Sequence, residues 1–131
     1  MQERLIMKRI ILASKSPRRQ QLLKEIIDNF DIIVSNPEEK KPLFVSLKNV
    51  PVHLAKQKAK EVYKDNKDAL VIGADTVVIC DNQILGKPKD KNDAKRMITM
   101  LSNKTHIVVT GVYLIGKGIK KSFKCITEVT F

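Results

Sequence analysis

Apolar residues fall into short continuous runs that alternate with segments of helical spacing, a pattern typical of α/β domains. Residues 8–13, KRIILA, predict a buried first strand. Residues 14–28 predict a helix, because Ser16 is a favoured N-cap residue and Pro17 fits the first helical position. The apolar stripe of this helix, which we expect to lie on a sheet, comprises Leu22, Leu23, Ile26 and Ile27.

The next part of the chain combines a strand, a loop and a second helix. Residues 30–35 predict a strand, and the polar, proline-bearing residues 36–42 predict a loop at the rim of a cleft. Residues 52–64 predict a helix with lysines on one side and apolar residues on the other. The apolar side comprises Leu54, Ala55, Ala59, Val62 and Tyr63.

The second half of the chain has the pattern of strands around one further helix. Residues 69–80 predict a strand, interrupted at Ala74 and Asp75, that is followed by a hairpin. A third helix is predicted after the loop at residues 86–89. Its apolar residues are Ala94, Met97, Ile98 and Leu101. Residues 105–115 and 122–131 predict a long antiparallel hairpin with a turn between its strands.

The bulk composition indicates one cored domain. The chain has 131 residues, of which 43% are hydrophobic, so we expect a single domain at residues 1–131. No apolar run approaches the roughly 20 residues that span a bilayer, and residues 1–6 lack the features of a secretory signal, so we expect a cytoplasmic protein with no membrane partner. Cys80 and Cys125 lie in apolar runs, and we expect both to be small core residues in a reducing compartment, with neither a disulfide nor a zinc site.

The formal net charge of +11 favours a polyanionic partner. Nucleic acid, an acidic membrane and a nucleoside triphosphate all satisfy that charge. Aromatic residues make up only 5% of the chain, and no basic stripe is interleaved with them as stacking on bases would require. We therefore do not expect a nucleic-acid partner, and a basic nucleic-acid-binding domain remains the weakest alternative function.

Residues 14–19, SKSPRR, are the first of three polar groups that interrupt apolar structure. They lie where a strand ends and a helix begins, so that backbone N–H groups and the positive end of the helix dipole meet there. Arg18 and Arg19 on the first turn oppose that dipole, and an anionic ligand would resolve the conflict. The alternative is a capped, exposed first turn with incidental basic residues.

The other two groups are Asp75 and Lys87. Asp75 lies between apolar strand segments, where a carboxylate requires a cation or a metal unless it begins a turn and is bonded to backbone amides. Lys87, in a Gly-Lys-Pro loop, could be directed at a phosphate, although the same tripeptide is common in ordinary turns and no P-loop pattern is present. Acyl-transfer chemistry has no support, because Ser14 has no evident histidine and acid behind it.

Five motifs taken together resemble the Maf family of nucleotide pyrophosphatases. In chain order they are LASKSPRR, LAKQKA, GADTVV, LGKPKD and KTHIVVTGV. The resemblance runs from about residue 8 to residue 131 and implies an α/β fold of the Maf/ITPase type. In that fold an elongated mixed sheet is flanked by helices, with a cleft between two lobes. It also implies hydrolysis of dTTP, UTP or modified pyrimidine nucleotides to the monophosphate and pyrophosphate.

The resemblance implies roles for individual residues. The expected catalytic residues are Asp75 and Lys87, and the expected substrate-binding residues are Ser14, Arg18, Arg19, Lys58 and Thr76. Glu39 and Asp75 are expected to bind a divalent cation, Mg²⁺ or Mn²⁺. The substrate partner is then a nucleoside triphosphate, and the sequence leaves a homodimer open.

Two departures from the family pattern bear on this interpretation. Asn103 stands where the family usually has glycine, a turn change that we expect to be tolerated. Family members also continue beyond this point through a DKAGxYxxQG segment, so we expect a single Maf-like domain that lacks the C-terminal part of the family fold. The alternative function is a catalytically weak or inactive nucleotide-binding protein, linked to septum formation and cell division arrest.

Overall fold

The computed structural model describes residues 9–34, 45–86, 88–102 and 104–130. In these ranges the strands are β1 (Arg9–Ala13), β2 (Asp31–Ile32), β3 (Ala69–Cys80), β4 (Gln83–Leu85), β5 (Thr105–Gly116) and β6 (Ile119–Thr130). The helices are α1 (Pro17–Lys24), α2 (Val50–Tyr63) and α3 (Lys91–Leu101), and a 3-10 turn at Leu47–Asn49 leads into α2. No helix in the described ranges is both long enough and apolar enough to cross a membrane.

The strands form one mixed sheet in the order β2-β1-β3-β5-β6, with β4 paired to β3. Strand β1 lies parallel to β2 and β3, whereas β5 is antiparallel to β3 and β6. The β1 pairing ends where Ala13 faces Gly73, and the β4 pairing begins only where Leu85 faces Val78. Residues 74–77 of β3 therefore lie between the segment paired with β1 and the segment paired with β4. We call this stretch the β3 opening. The predicted α/β fold with a mixed sheet is confirmed.

Helix α2 packs directly on the sheet because two glycines allow its backbone to approach. A Cβ at Gly73 would lie 2.3 Å from the carbonyl oxygen of Ala55, and a Cβ at Gly111 would lie 2.3 Å from the backbone nitrogen of Val52. The core beneath the helix includes the fully buried Ala59, and the predicted apolar side of α2 is confirmed. Close contact at these two glycines fixes the position of α2 over β3 and β5.

The apolar stripe predicted for the first helix is wrong. Helix α1 ends at Lys24 and has no buried residue, and Leu22 and Ile26 are 47% and 80% exposed. Ile26 lies beyond the end of the helix, so the helical spacing that predicted its burial does not apply. Helix α3 is confirmed, but it also buries no residue, and Ile98 on its expected apolar face is 61% exposed.

The strand predictions are confirmed with corrected bounds. Strand β3 runs continuously through Asp75, so the alternative in which that acid begins a turn is wrong. The final hairpin is present, and Gly118 adopts a positive φ of 74° at its turn. Cys80 is buried as expected, but Cys125, on β6 at one end of the described strand order, is exposed. The predicted loop at residues 36–42 lies outside the described residues.

Candidate functional site

The end of strand β1 and the start of helix α1 form a tightly bonded turn. The hydroxyl of Ser14, a residue only 5% exposed, accepts a hydrogen bond from the Ser16 N–H at 3.2 Å. The hydroxyl of Ser16 in turn caps α1 by accepting from the Arg19 N–H at 3.3 Å. The side-chain amide of Gln20 donates to the Ser14 carbonyl at 3.0 Å. These bonds confirm the predicted N-cap and hold the Ser14 hydroxyl at the end of the strand.

Arg19 reaches from this turn to the β3 opening. Its Nη1 lies 3.4 Å from the Ser14 hydroxyl oxygen and 3.5 Å from the Ala74 carbonyl oxygen, and its Nη2 donates to the Thr76 hydroxyl. Arg19 thus makes specific contacts within the fold, and its role toward an anionic ligand stays a prediction. Arg18 is exposed on the same turn. The two arginines thus differ in their surroundings although they are adjacent in sequence.

Lys58 and Asp75 form an ion pair on the other side of the opening. The Lys58 Nζ lies 3.0 Å from Asp75 Oδ1, and the two side chains are 22% and 18% exposed. Lys58 reaches this position because Ala55, one turn earlier in α2, lies directly on Gly73, two residues before Asp75. Asp75, which was predicted to need a cation, is thus paired with Lys58, and the ion pair is partly buried.

Strand geometry explains how both cations approach one segment. Successive side chains of a strand point to opposite faces, so Asp75 and Thr76 lie on opposite faces of the sheet. Lys58 therefore approaches the β3 opening from the face covered by α2, and Arg19 bonds to Thr76 on the other face. Five of the predicted site residues meet at this edge of the sheet: Ser14, Arg19, Lys58, Asp75 and Thr76.

Two predicted site residues, Glu39 and Lys87, lie outside the described residues, so their roles remain predictions. Conversely, the sequence analysis did not single out Thr110 or Gln20. The hydroxyl of Thr110 lies 3.0 Å from that of Thr76. Its signal in the sequence was its place in the KTHIVVTGV motif, but its contact depends on the register of β3 against β5.

The residues present can supply part of a site for a divalent cation. Within the described ranges no group of three or more histidine, cysteine, aspartate or glutamate side chains is placed to hold a metal. Asp75 offers one hard carboxylate at the opening, on the face of the sheet opposite the Thr76 hydroxyl that Arg19 contacts. Mg²⁺ typically binds through one or two carboxylates together with substrate phosphates, so a single acid next to a phosphate site fits this ion.

Comparison with known proteins places this arrangement in a family. The Maf-like protein family model matches residues 9–131. A dTTP/UTP pyrophosphatase of Bacillus cereus is 47% identical over 125 residues, which cover 95% of this chain and 65% of the relative. A dTTP/UTP pyrophosphatase of Bacillus anthracis is 48% identical with the same coverage. The chain thus spans slightly less than two thirds of the length of these curated relatives.

Solved structures share the fold at much lower identity. The Staphylococcus aureus Ham1 protein aligns with a TM-score of 0.63 at 18% identity, covering 92% of this chain and 70% of that one. A nucleoside-triphosphatase / dITP/XTP pyrophosphatase of Mycobacterium abscessus aligns with a TM-score of 0.57 at 14% identity, covering 92% and 71%. These two likenesses establish the fold. The match to the family model extends from the first described strand to the last residue, and the chain belongs to the Maf family.

Proposed function

We propose that this domain binds a pyrimidine nucleoside triphosphate, dTTP or UTP, and hydrolyses it to the monophosphate and pyrophosphate. The observation that carries the proposal is the convergence of two cations on the β3 opening from its two faces: Lys58 contacts Asp75, and Arg19 contacts the Ala74 carbonyl and the Thr76 hydroxyl. Two cations next to a carboxylate suit a polyanion that must also meet an attacking water. The names of the relatives at 47% and 48% identity support the choice of dTTP and UTP.

The triphosphate would lie beyond the carboxyl end of β1, where α/β folds commonly bind ligands. Among the described residues, Arg19 uses three N–H groups, on Ser14, Ala74 and Thr76, and a guanidinium has five. The remaining two can donate to phosphate oxygens as charge-assisted hydrogen bonds. Arg18, exposed on the first turn of α1, adds positive charge at the same end.

Asp75 is the proposed catalytic residue, and it would act as a general base. Its carboxylate would orient a water molecule and accept a proton from it while the water oxygen bonds to the α-phosphorus. The bond from that phosphorus to the bridging oxygen then breaks, and pyrophosphate leaves with the electron pair. Lys58, and Lys87 from its loop, would stabilise the negative charge on the phosphates. Asp75 with Glu39 would hold Mg²⁺ or Mn²⁺, which when bound would neutralise further phosphate charge.

Thr76 and Arg18 are the proposed determinants of the pyrimidine preference, because the GADT and SPRR motifs that contain them resemble those of family members acting on dTTP and UTP. The net charge of +11 supports an anionic substrate such as a triphosphate. We place this activity in the cytoplasm, where nucleoside triphosphates are available. A homodimer remains compatible with it.

A panel of nucleoside triphosphates with pyrophosphate detection tests the proposal. We expect release from dTTP and UTP to exceed release from purine nucleotides, and Asp75→Asn to lower it by a factor of about 10²–10⁴. Asp68→Asn is the matched control, because this exposed acid lies on the turn before β3 and should leave the rate unchanged. Wild-type rates in Asp75→Asn would overturn the role of Asp75. Calorimetry that shows tight triphosphate binding without product would instead support the inactive nucleotide-binding alternative.

A further inference from the structure

We propose that Thr110 is a positioning residue of the triphosphate site. It acts through Thr76 to hold the Arg19 guanidinium in the orientation that leaves two of its N–H groups for phosphate. The inference rests on the proposed function for its consequence in substrate binding. Its geometry rests on the chain of contacts from Arg19 Nη2 to the Thr76 hydroxyl and on to the Thr110 hydroxyl, 3.0 Å away.

The chemistry of the three groups explains why Thr110 is needed. A guanidinium only donates hydrogen bonds, so Thr76 must present a lone pair to Arg19. The hydroxyl of Thr76 can rotate about its C–O bond, and on its own it could turn that lone pair away. Its second contact, with Thr110, limits this rotation, because it either directs the Thr76 proton toward Thr110 or occupies one lone pair of Thr76. A chain of bonded hydroxyls also polarises its members and strengthens each bond.

The fold places Thr110 at a rigid position. Strand β5 lies between β3 and β6, and in its register Thr110 faces Thr76 on one side and Cys125 on the other. The next residue, Gly111, is held against the backbone of Val52 at the start of α2. Thr76, by contrast, is exposed at the β3 opening. Thr110, which is fixed by the strands on both sides of β5, therefore restrains the exposed Thr76 hydroxyl.

This arrangement lowers the cost of binding a triphosphate. An arginine side chain loses considerable rotamer entropy when a ligand fixes it, and prior fixation removes part of that loss. Phosphate contacts persist from the ground state to the transition state, so their weakening changes KM more than kcat. We expect Thr110→Val to raise the KM for dTTP about fivefold, the effect of one neutral hydrogen bond, with kcat changed less than about twofold.

The sheet offers a matched control for this substitution. Thr105 on β5 and Thr130 on β6 form an equivalent hydroxyl pair, also at 3.0 Å, that does not involve Arg19. Thr105→Val should leave KM unchanged, whereas Thr110→Ser, which keeps the hydroxyl, should restore most of the wild-type KM. The inference is overturned if Thr110→Val and Thr105→Val have the same KM, or if Thr110→Ser behaves like Thr110→Val.

A readout that does not depend on turnover separates this inference from the proposed function. In ¹⁵N-labelled protein, NMR exchange measurements report the rotation of the Arg19 guanidinium about its Nε–Cζ bond. We expect faster rotation in Thr110→Val than in the wild-type protein and in Thr105→Val. If the Arg19 guanidinium rotates faster in Thr110→Val but the wild-type protein releases no pyrophosphate, the positioning role stands and the proposed activity is rejected. Unchanged rotation in an active protein would reject the positioning role alone.

Discussion

Lys58 and Asp75 join helix α2 to strand β3 through an ion pair of 3.0 Å whose two side chains are about four-fifths buried. The pair lies one helical turn from the contact between Ala55 and Gly73, so its geometry is set by the close packing of α2 on the sheet. Each charge of this pair is partly desolvated. Removal of one partner therefore leaves the other charge unpaired, with a desolvation cost that water only partly offsets.

The ion pair should therefore show coupling in a double-mutant cycle. Lys58→Met should lower the free energy of unfolding by about 1–3 kcal/mol, because it leaves the Asp75 carboxylate without this cation. Asp75→Asn should lower it by a similar or smaller amount. The double variant should be more stable than the sum of the two losses predicts, as measured by urea unfolding. Strict additivity would show that the two charges contribute independently to stability.

The close approach of α2 to the sheet predicts a sharp contrast between two glycines. Gly111→Ala should lower the free energy of unfolding by about 1–3 kcal/mol or more, because its Cβ would lie 2.3 Å from the Val52 nitrogen and displace helix backbone. Gly86→Ala is the control, since no atom of the described residues beyond its chain neighbours lies within 4 Å of its added Cβ. Thermal and urea unfolding measure both. Equal losses would mean that α2 does not rest on β5 as described.

The two arginines of helix α1 should contribute unequally to substrate binding. Arg19→Gln removes a guanidinium that bonds to Ser14 and to Thr76, and we expect the KM for dTTP to rise roughly tenfold to a hundredfold. Arg18→Gln removes an exposed charge and should raise KM only about twofold to threefold. Steady-state kinetics at two salt concentrations would measure both effects. Equal increases would indicate that only net charge matters at this turn.

Helix α3 should lose stability in acid through Asp93. The carboxylate of Asp93 accepts the Lys89 N–H at 3.0 Å and also bonds to Arg96, and these contacts lower the pKa of Asp93 below its ordinary value of 3.8. A lowered pKa in the folded state adds stability above the unfolded value, and this stability is lost as the pH falls through the folded pKa.

We therefore expect Asp93→Asn to have a lower Tm than the wild-type protein near neutral pH and a shallower fall in Tm below about pH 4. Asp68→Asn, which removes an exposed carboxylate 4.0 Å from Arg9, is the control. Circular dichroism melts across this pH range provide the measurement. Parallel Tm profiles for wild-type and Asp93→Asn would contradict the stabilising role of the Asp93 contacts.

Local patterns in the sequence were sufficient to predict features that depend on residues close together in the chain. The N-cap at Ser16 needs only its own side chain and the next three residues, and it is present. The buried side of α2, which includes Ala55 and Ala59, follows from helical spacing alone. The same reasoning failed for Leu22 and Ile26, since spacing predicts an apolar side but does not supply an element to cover it.

The contacts across the sheet could not be read from the sequence. Thr76 and Thr110 are 34 positions apart, and a shift of one residue in the register of β3 against β5 would separate their hydroxyls. The motif that contains Asp75 indicated that the acid needs a cation, but the partner Lys58 followed only from where α2 lies on the sheet. Long-range register and helix placement are thus the physical information that motif spacing lacks.

On one side of β3, pairing with β1 ends at Gly73 and pairing with β4 begins at Val78. No strand of the described residues pairs with the peptide groups along that interval on this side, and one of these groups, the Ala74 carbonyl, bonds to Arg19. Peptide groups two residues apart point the same way, so the N–H and carbonyl of Thr76 are presented alongside it. Side-chain substitutions do not remove main-chain N–H and carbonyl groups. A nucleotide bound by these groups would therefore keep its binding mode in related proteins whose base preferences differ.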